Sequence, residues 1–318
     1  MSRRRVTTVV LGPFVLGSFA IGAAACAAPP ATTNAGHNAE PSSGCTTPAP
    51  LGASPTGRER DETLDNGRVT GSYELSLPRT YRSHRPSPLL LLFYGSGSDP
   101  SQFSSLTGLA SRGAADGYLV AVPRTQGAES EWQFEARGSD AAFVDAMVAS
   151  LESTYCIDKS SVFAAGFSAG AAFTIIYACA RQDRISAIAT VAVEFQLGCT
   201  RPMSILAFHG THDPLIPYHN GAVGLSFPGV KVRGTQRNMS DWARLDRCRG
   251  VPRRLRVGSQ VIRQQWSGCA RGTAVVLYIV VGGGHTWPGA DPERGVGLTT
   301  QQVSASAQTL SFFDRFRS

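Results

Sequence analysis

Short apolar runs that alternate with helical segments constrain the fold of this chain more than any other feature of the sequence. Residues 89–93 and 118–122 are continuous apolar runs, each followed within two residues by Gly or Pro. Runs of this length suit strands that are buried on both faces of a parallel sheet. Between them, Phe103, Leu106 and Ala110 share one face of a helix. The alternation predicts an α/β domain whose mostly parallel central sheet has helices on both faces.

The same analysis supplies the remaining elements of the domain. An outer strand with one exposed face covers residues 68–77, because apolar and polar side chains alternate there. The further predicted elements are strands at 161–165, 187–193, 204–208 and 274–281, and helices at 143–151, 169–180 and 303–313.

The N-terminus has the composition of an export signal. Arg3, Arg4 and Arg5 precede an apolar run at residues 6–25, which ends in small side chains. Glycines and a proline interrupt this run, so it is a poor candidate for a membrane-spanning helix. We therefore expect a cleaved signal peptide at 1–25. Cys26 follows directly, and the sequence leaves open whether it carries a lipid anchor or whether the chain is simply cleaved among the alanines.

Composition separates a linker from the folded domain. Residues 26–57 are rich in Ala, Pro, Thr and Ser, and such a segment buries too little apolar surface to offset its ordering entropy. We expect a disordered linker there and a folded domain at 58–318. The formal net charge is +7 without a dominant basic block. This predicts a mild affinity for anionic envelope polymers and no nucleic-acid partner.

The cysteine count indicates disulfides and argues against a metal site. Six cysteines follow Cys26, namely Cys45, Cys156, Cys179, Cys199, Cys248 and Cys269. An even number in an exported chain suggests disulfide bonds. None of the cysteines forms a CxxC pair, so we expect no zinc site and no cofactor.

The segment Gly166-Phe167-Ser168-Ala169-Gly170 lies between a predicted strand and a predicted helix. This context is the one that a nucleophile elbow requires, with small residues on either side of the serine. We therefore predict that Ser168 is a nucleophile. The backbone N–H of Ala169, at the start of the helix, is expected to stabilise an oxyanion.

A nucleophilic serine needs a base and an acid, which follow it in the order acid, then histidine, in this type of site. His285 follows the last strand through three glycines that form a flexible turn, so it is the predicted base. Asp213 follows the strand at 204–208 and is the predicted acid, and Glu194, which also follows a strand, is the alternative. His209 and His212 lie beside Asp213, but this loop has no distal partner for a metal site.

Loops at the same sheet edge supply the other candidate residues. The turn after the strand at 89–93 offers the backbone N–H of Ser96 or Gly97 as a second oxyanion donor, and a plain glycine-rich turn is the alternative. Trp132 and Trp287 also fall in loops at this edge. Two interpretations stay open for each tryptophan: it forms a wall of a binding pocket, or it packs in the protein interior.

These motifs resemble those of the secreted polyhydroxybutyrate depolymerases and feruloyl or acetylxylan esterases, especially an actinobacterial envelope lipoprotein branch. The similarity covers residue 68 to the C-terminus. The matching stretches are Tyr155-Cys156-Ile157-Asp158, Gly166 to Gly170, His209-Gly210-Thr211 with Asp213-Pro214, and Gly283-Gly284-His285-Thr286-Trp287-Pro288-Gly289. The resemblance implies an α/β-hydrolase catalytic domain with Ser168, Asp213 and His285 as its triad.

The resemblance also bears on the disulfides and on the substrate pocket. Cys248 and Cys269 stand where the family has a cysteine pair, which implies a bond between them. Cys179 with Cys199, and Cys45 with Cys156, are then the remaining pairings that we expect. The family usually has His-Gly where this chain has Tyr94-Gly95, so Tyr94 is expected to alter the shape of the binding pocket.

Together these observations predict a secreted serine ester hydrolase, free or tethered to the membrane as a lipoprotein, and monomeric. About ten residues separate the strands at 187–193 and 204–208, too few for a lid domain. An open site favours esters on polymers, such as feruloyl or acetyl groups on plant or cell-wall polysaccharides. A polyhydroxyalkanoate depolymerase and a non-catalytic envelope-binding protein are the alternatives.

Overall fold

The computed structural model describes residues 38–48, 59–127, 131–223 and 231–318. Its strands, numbered in chain order, are β1 (Glu59–Asp65), β2 (Thr70–Ser76), β3 (Ser87–Phe93), β4 (Leu119–Pro123), β5 (Ile157–Phe167), β6 (Ala187–Val191), β7 (Ser204–Gly210), β8 (Gly221–Ala222), β9 (Lys231–Val232), β10 (Arg249–Arg256), β11 (Val261–Ser267) and β12 (Val275–Val280). Its α-helices are α1 (Pro100–Thr107), α2 (Leu109–Ala115), α3 (Ser139–Thr154), α4 (Ala169–Ala180), α5 (Thr235–Leu245) and α6 (Ala305–Phe313).

Ten of the described strands form one sheet, in the order β1-β2-β4-β3-β5-β6-β7-β12-β11-β10. The central strands from β4 to β12 run parallel, and two antiparallel strands extend the sheet on either side. Every residue of β3 and of β7 is buried. Because successive side chains of a strand point to opposite faces, both faces of the sheet are covered. The predicted mostly parallel α/β architecture is confirmed.

Several elements were not predicted from the sequence, among them the edge strands β1 and β10 and the helix α5. β1 has five charged residues among seven, yet it pairs with β2 along its whole length. β10 contains four arginines and a proline, and it forms the opposite edge strand. Charged side chains on such edges also discourage pairing with another molecule. α5 is amphipathic and buries Met239 and Trp242.

The prediction of a disordered linker at 26–57 is wrong for residues 38–48. Ser42 donates a backbone hydrogen bond of 2.8 Å to the carbonyl of Ile157, and its hydroxyl donates to the carbonyl of Tyr155 at 2.8 Å. Gly44 lies so close to Tyr155 that a Cβ would stand 2.3 Å from its carbonyl oxygen. These contacts and a disulfide order a segment of low apolar content. The predicted signal peptide and Cys26 lie outside the described residues.

Three disulfides stabilise the domain, in the pairings that the sequence analysis expected. They join Cys45 to Cys156, Cys179 to Cys199 and Cys248 to Cys269, with sequence separations of 111, 20 and 21 residues. By restricting the unfolded chain, the shorter loops contribute roughly 3 kcal/mol each and the longest about 4 to 5 kcal/mol in the chain-entropy treatment. Among the described residues, no helix has the length and apolar character needed to cross a membrane.

Candidate active site

Ser168 occupies a strained turn between β5 and α4. Its φ of 54° and ψ of −122° lie in a region that side chains other than glycine rarely adopt. The turn persists because its backbone is bonded on both sides. The N–H of Ser168 donates to the carbonyl of Val191 at 3.0 Å, and its carbonyl accepts from Ala171 at 3.0 Å. The turn thus holds the side chain of Ser168 in the wall of a cleft.

The two glycines of the motif are required by close backbone contacts. A Cβ on Gly170 would stand 2.1 Å from the carbonyl oxygen of Phe93 and 2.3 Å from that of Tyr94. A Cβ on Gly166 would stand 2.4 Å from the carbonyl oxygen of Gly170. The start of α4 therefore rests directly on the end of β3, and only glycine permits this approach.

His285 and Asp213 form a buried hydrogen-bonded pair at the carboxyl ends of neighbouring parallel strands. Asp213 follows β7, His285 follows β12, and Nδ1 of His285 lies 2.8 Å from Oδ2 of Asp213. A carboxylate can only accept, so Nδ1 carries the proton. The other oxygen of Asp213 accepts from the backbone N–H groups of Leu215 and Ile216 at 2.9 and 2.8 Å. Both carboxylate oxygens are therefore held in place.

The turn that delivers His285 is tightly packed, which corrects the expectation of a flexible glycine turn. A Cβ on Gly210 would stand 2.3 Å from the carbonyl oxygen of Gly283. A Cβ on Gly284 would stand 2.1 Å from the carbonyl oxygen of Val296, which also accepts from the N–H of His285 at 2.8 Å. The glycines permit close backbone contact and do not provide mobility.

Ser168 and His285 lie at the same edge of the sheet. The ring of Phe167, the residue before Ser168, lies 4.9 Å from the imidazole of His285 between ring centroids. Glu194, the alternative acid, instead pairs with Nδ1 of His209 at 2.6 Å. The structure therefore brings Asp213 to His285 and leaves Glu194 with a different histidine.

The loop after β3 faces Ser168, where the second oxyanion donor was expected. A Cβ on Gly95 would stand 3.4 Å from the Cβ of Ser168. A hydrogen bond of 3.3 Å from Ser98 to the carbonyl of Gly95 closes this turn, and Ser96 and Gly97 at its tip are exposed. Ala169 is the first residue of α4, so its N–H belongs to the unpaired donors of a helix N-terminus.

Trp132, Trp287 and Tyr94 lie in the core and do not line the cleft at Ser168. Of the two interpretations left open for the tryptophans, packing is the correct one, and the expectation that Tyr94 shapes the pocket is wrong. Trp132 donates its indole N–H to the carbonyl of Tyr94 at 2.7 Å and stacks on Phe173. Trp287 donates to the hydroxyl of Ser306 at 3.0 Å. The hydroxyl of Tyr94 accepts from the backbone N–H of Thr125 at 2.9 Å. Each polar group has a partner inside the protein, so the rings pack inward.

The cleft at Ser168 has a volume of about 570 Å³ and a largely apolar wall. Its side chains come from α4, from the loop before α3, from the segment after β6 and from the segment between β7 and α5. The last two segments were not predicted from the sequence as walls of a cleft. The apolar lining residues are Phe134, Ala169, Ala172, Ile176, Val193, Phe195, Leu197, Ile216, Pro217, Val223 and Val232. Phe195 and Leu197 are apolar residues that follow a predicted strand, and in the sequence they were the signal for this wall of the cleft. Within the described ranges, no three His, Cys, Asp or Glu side chains are arranged to hold a metal ion.

The chain matches no protein-family model. It is similar to characterised esterases along most of its length. Feruloyl esterase C of Emericella nidulans is 29% identical over 246 residues, which are 74% of this chain and 84% of that protein. Feruloyl esterase D of Neurospora crassa is 28% identical over 297 residues, 87% of this chain and 91% of that protein. In sequence the chain is similar to these esterases, and its fold is that of the α/β-hydrolases.

A solved structure supports the fold of this serine esterase independently. Acetyl xylan esterase from Aspergillus awamori superposes with a TM-score of 0.58 at 13% sequence identity, covering 80% of this chain and 99% of that one. No large lid covers the site in the described residues, although part of the loop between β7 and α5 forms a wall of the cleft. The actinobacterial lipoprotein branch stays a prediction.

We predict that Gly170→Ala destabilises the esterase far more than Gly67→Ala. Gly67 has a φ of 75°, which disfavours alanine, but no atom lies within 4 Å of the position that a Cβ would occupy. Alanine at Gly67 therefore adds strain alone, about 1 to 2 kcal/mol. Alanine at Gly170 must push the start of α4 away from β3.

Urea unfolding of the two variants measures the difference. The free energy of unfolding should fall by about 1 to 3 kcal/mol more in the Gly170 variant, by analogy with overpacked cores. Equal losses would show that the contact between α4 and β3 does not constrain the turn.

Proposed function

We propose that the protein is a secreted serine esterase that releases feruloyl or related acyl groups from polysaccharides through an acyl-enzyme. The observation that carries the proposal is the buried 2.8 Å bond between His285 and Asp213 beside the strained turn of Ser168. Ser168 is the nucleophile, His285 the general base and Asp213 the residue that orients the imidazole.

The bond to Asp213 gives each nitrogen of His285 a distinct role. With the proton on Nδ1, Nε2 is free to take the proton of Ser168 as its Oγ attacks the ester carbonyl. The imidazolium that forms is stabilised by the carboxylate of Asp213, whose other oxygen stays bonded to two backbone N–H groups. His285 then protonates the leaving alcohol and activates the water that hydrolyses the acyl-enzyme.

The oxyanion of the tetrahedral intermediate requires donors that are in place before the reaction. The N–H of Ala169 is one, and the positive end of the α4 dipole lies at the same position. The second donor comes from the turn that faces Ser168, at Ser96 or Gly97. Because these are backbone groups, the replacement of a histidine by Tyr94 in this loop does not remove a donor.

The cleft favours an aromatic acyl group on a bulky carrier. Phe134 and Phe195 lie in its wall, and flat apolar side chains suit a phenyl ring. The absence of a large lid over the described site leaves room for a polymer. The named relatives are feruloyl esterases, which agrees with this assignment. Acetyl groups on xylan and polyester chains are the alternatives, and a non-catalytic binding role is disfavoured because no member of the triad is missing.

Export of the protein is part of the proposal. Three disulfides suit an oxidising compartment. The Arg-rich, apolar N-terminus supplies the signal, and Cys26 is the position at which a lipid anchor would tether the enzyme. We expect a monomer.

Ser168→Ala should abolish ester hydrolysis while the fold remains intact. Loss of the nucleophile in a serine hydrolase lowers kcat by about 10⁶-fold. The assay uses a panel of methyl ferulate, p-nitrophenyl acetate, acetylated xylan and short polyhydroxyalkanoates, with circular dichroism as the control for folding. The proposal expects methyl ferulate to be the best substrate by kcat/KM. Turnover that survives in the folded variant would exclude Ser168, and a clear preference for the polyester would favour the depolymerase alternative.

Asp213→Asn and Glu194→Gln form a matched pair, because each replaces a buried carboxylate by its amide. Asp213→Asn should lower kcat by about four orders of magnitude, since an amide at this position favours the wrong tautomer of His285. Glu194→Gln should lower kcat far less, because Glu194 contacts His209 and not His285. Both are measured at the pH optimum of the wild type. A nearly inactive Glu194 variant beside an active Asp213 variant would reverse the assignment of the acid.

A further inference from the structure

A second histidine–carboxylate pair lies directly beside the first and has no role in the mechanism above. It consists of Glu194, which follows β6, and His209, near the end of β7, and both are almost completely buried. Nδ1 of His209 lies 2.6 Å from Oε2 of Glu194. The amide of Asn238, on α5, donates to the other oxygen of Glu194 at 3.0 Å. A buried charge pair of this kind is expensive unless it is fully hydrogen-bonded, as it is here.

Both ring nitrogens of His209 make hydrogen bonds that need a proton. Nε2 faces the carbonyl oxygen of Ile216 at 2.9 Å and Oδ2 of Asp213 at 3.7 Å, which are both acceptors. Nδ1 faces the carboxylate of Glu194, and two lone pairs cannot approach to 2.6 Å without a proton between them.

The electrostatic surroundings place that proton on the imidazole. Burial alone would lower the pKa of His209, but Glu194, the carbonyl of Ile216 and Asp213 raise it above its ordinary value. Burial alone would raise the pKa of Glu194, but His209, Asn238 and Thr235 lower it. Both directions favour the form of the pair in which His209 is an imidazolium and Glu194 a carboxylate.

The same imidazolium closes the loop that holds the catalytic acid. His209 donates to the carbonyl of Ile216, and the N–H of Ile216 donates to Oδ1 of Asp213. Carboxylates and imidazoles thus alternate from Glu194 through His209 and Asp213 to His285. We propose that His209 is a positioning residue, a permanently charged imidazolium that fixes the 213–216 turn and offsets the charge of Asp213 beside His285. This role rests on the proposed function.

The role has a consequence for the pH dependence of catalysis. A fixed positive charge beside Asp213 opposes a second positive charge on the neighbouring His285 during catalysis, so its removal should move the acidic limb of the activity profile to higher pH. The charged groups that face His209 are Glu194, from the segment after β6, and Asp213, from the loop after β7. The side chains of Thr235 and Asn238 from α5 and the phenol of Tyr218 face the pair without charge.

The test is the double variant Glu194→Gln/His209→Gln, which removes both charges and retains amides that can hydrogen-bond. The acidic limb of its kcat/KM profile for p-nitrophenyl acetate should move up by about one pH unit, so that activity on this limb falls about tenfold relative to its own plateau. Asp246→Asn is the control. Asp246 is also a buried carboxylate, but it bonds Met203, just before the opposite end of β7, so its loss should leave the limb unchanged.

Nitrogen-15 NMR of the histidine rings of the wild-type protein tests the same point without activity or mutation. One imidazole should carry protons on both nitrogens at pH 8, where the ordinary histidine is neutral. A neutral His209 at pH 8, or a folded double variant whose limb coincides with that of the wild type, would overturn the proposal. Failure of the wild type to hydrolyse any ester would instead overturn the proposed function and leave the NMR result standing.

Discussion

The close approach of α4 to the end of β3 is the contact on which the geometry of the site depends. The two segments meet backbone to backbone at Gly170, with no side chain between them. This contact forces the chain to reverse within the motif, which puts Ser168 into a region of positive φ. Strain of this kind persists only where the surrounding structure over-determines it. Here the buried sheet and the hydrogen bond from Ser168 to Val191 do so.

The parallel sheet then brings the other polar groups of the site to one edge. Consecutive strands β5, β6, β7 and β12 all end at the same edge, and each delivers one polar group there. Ser168 follows β5, Glu194 follows β6, Asp213 follows β7 and His285 follows β12. His209, near the end of β7, lies between Glu194 and Asp213, so that the imidazole separates the two buried carboxylates.

Local signals were sufficient for those features that depend on backbone chemistry. The glycines around Ser168 and the apolar runs report directly on tight turns and buried strands, so the fold and the placement of Ser168, Asp213 and His285 at one edge could be predicted. Residues whose role depends on distant partners could not. Trp132 and Trp287 occupy loops. Only the tertiary structure shows that their indole N–H groups donate hydrogen bonds within the core, to the carbonyl of Tyr94 and the hydroxyl of Ser306. For the same reason, the pairing of Glu194 with His209 and the contribution of α5 were not visible in the sequence.

Covalent labelling at the active site tests the central claim most directly. The wild-type protein is incubated with a fluorophosphonate, which reacts with activated serines, and the adduct is located by peptide mass spectrometry. The account predicts a single adduct on Ser168, formed more slowly in the presence of methyl ferulate because both compete for the same cleft. An adduct on a different serine, or ester hydrolysis by a protein that resists the reagent, would contradict it.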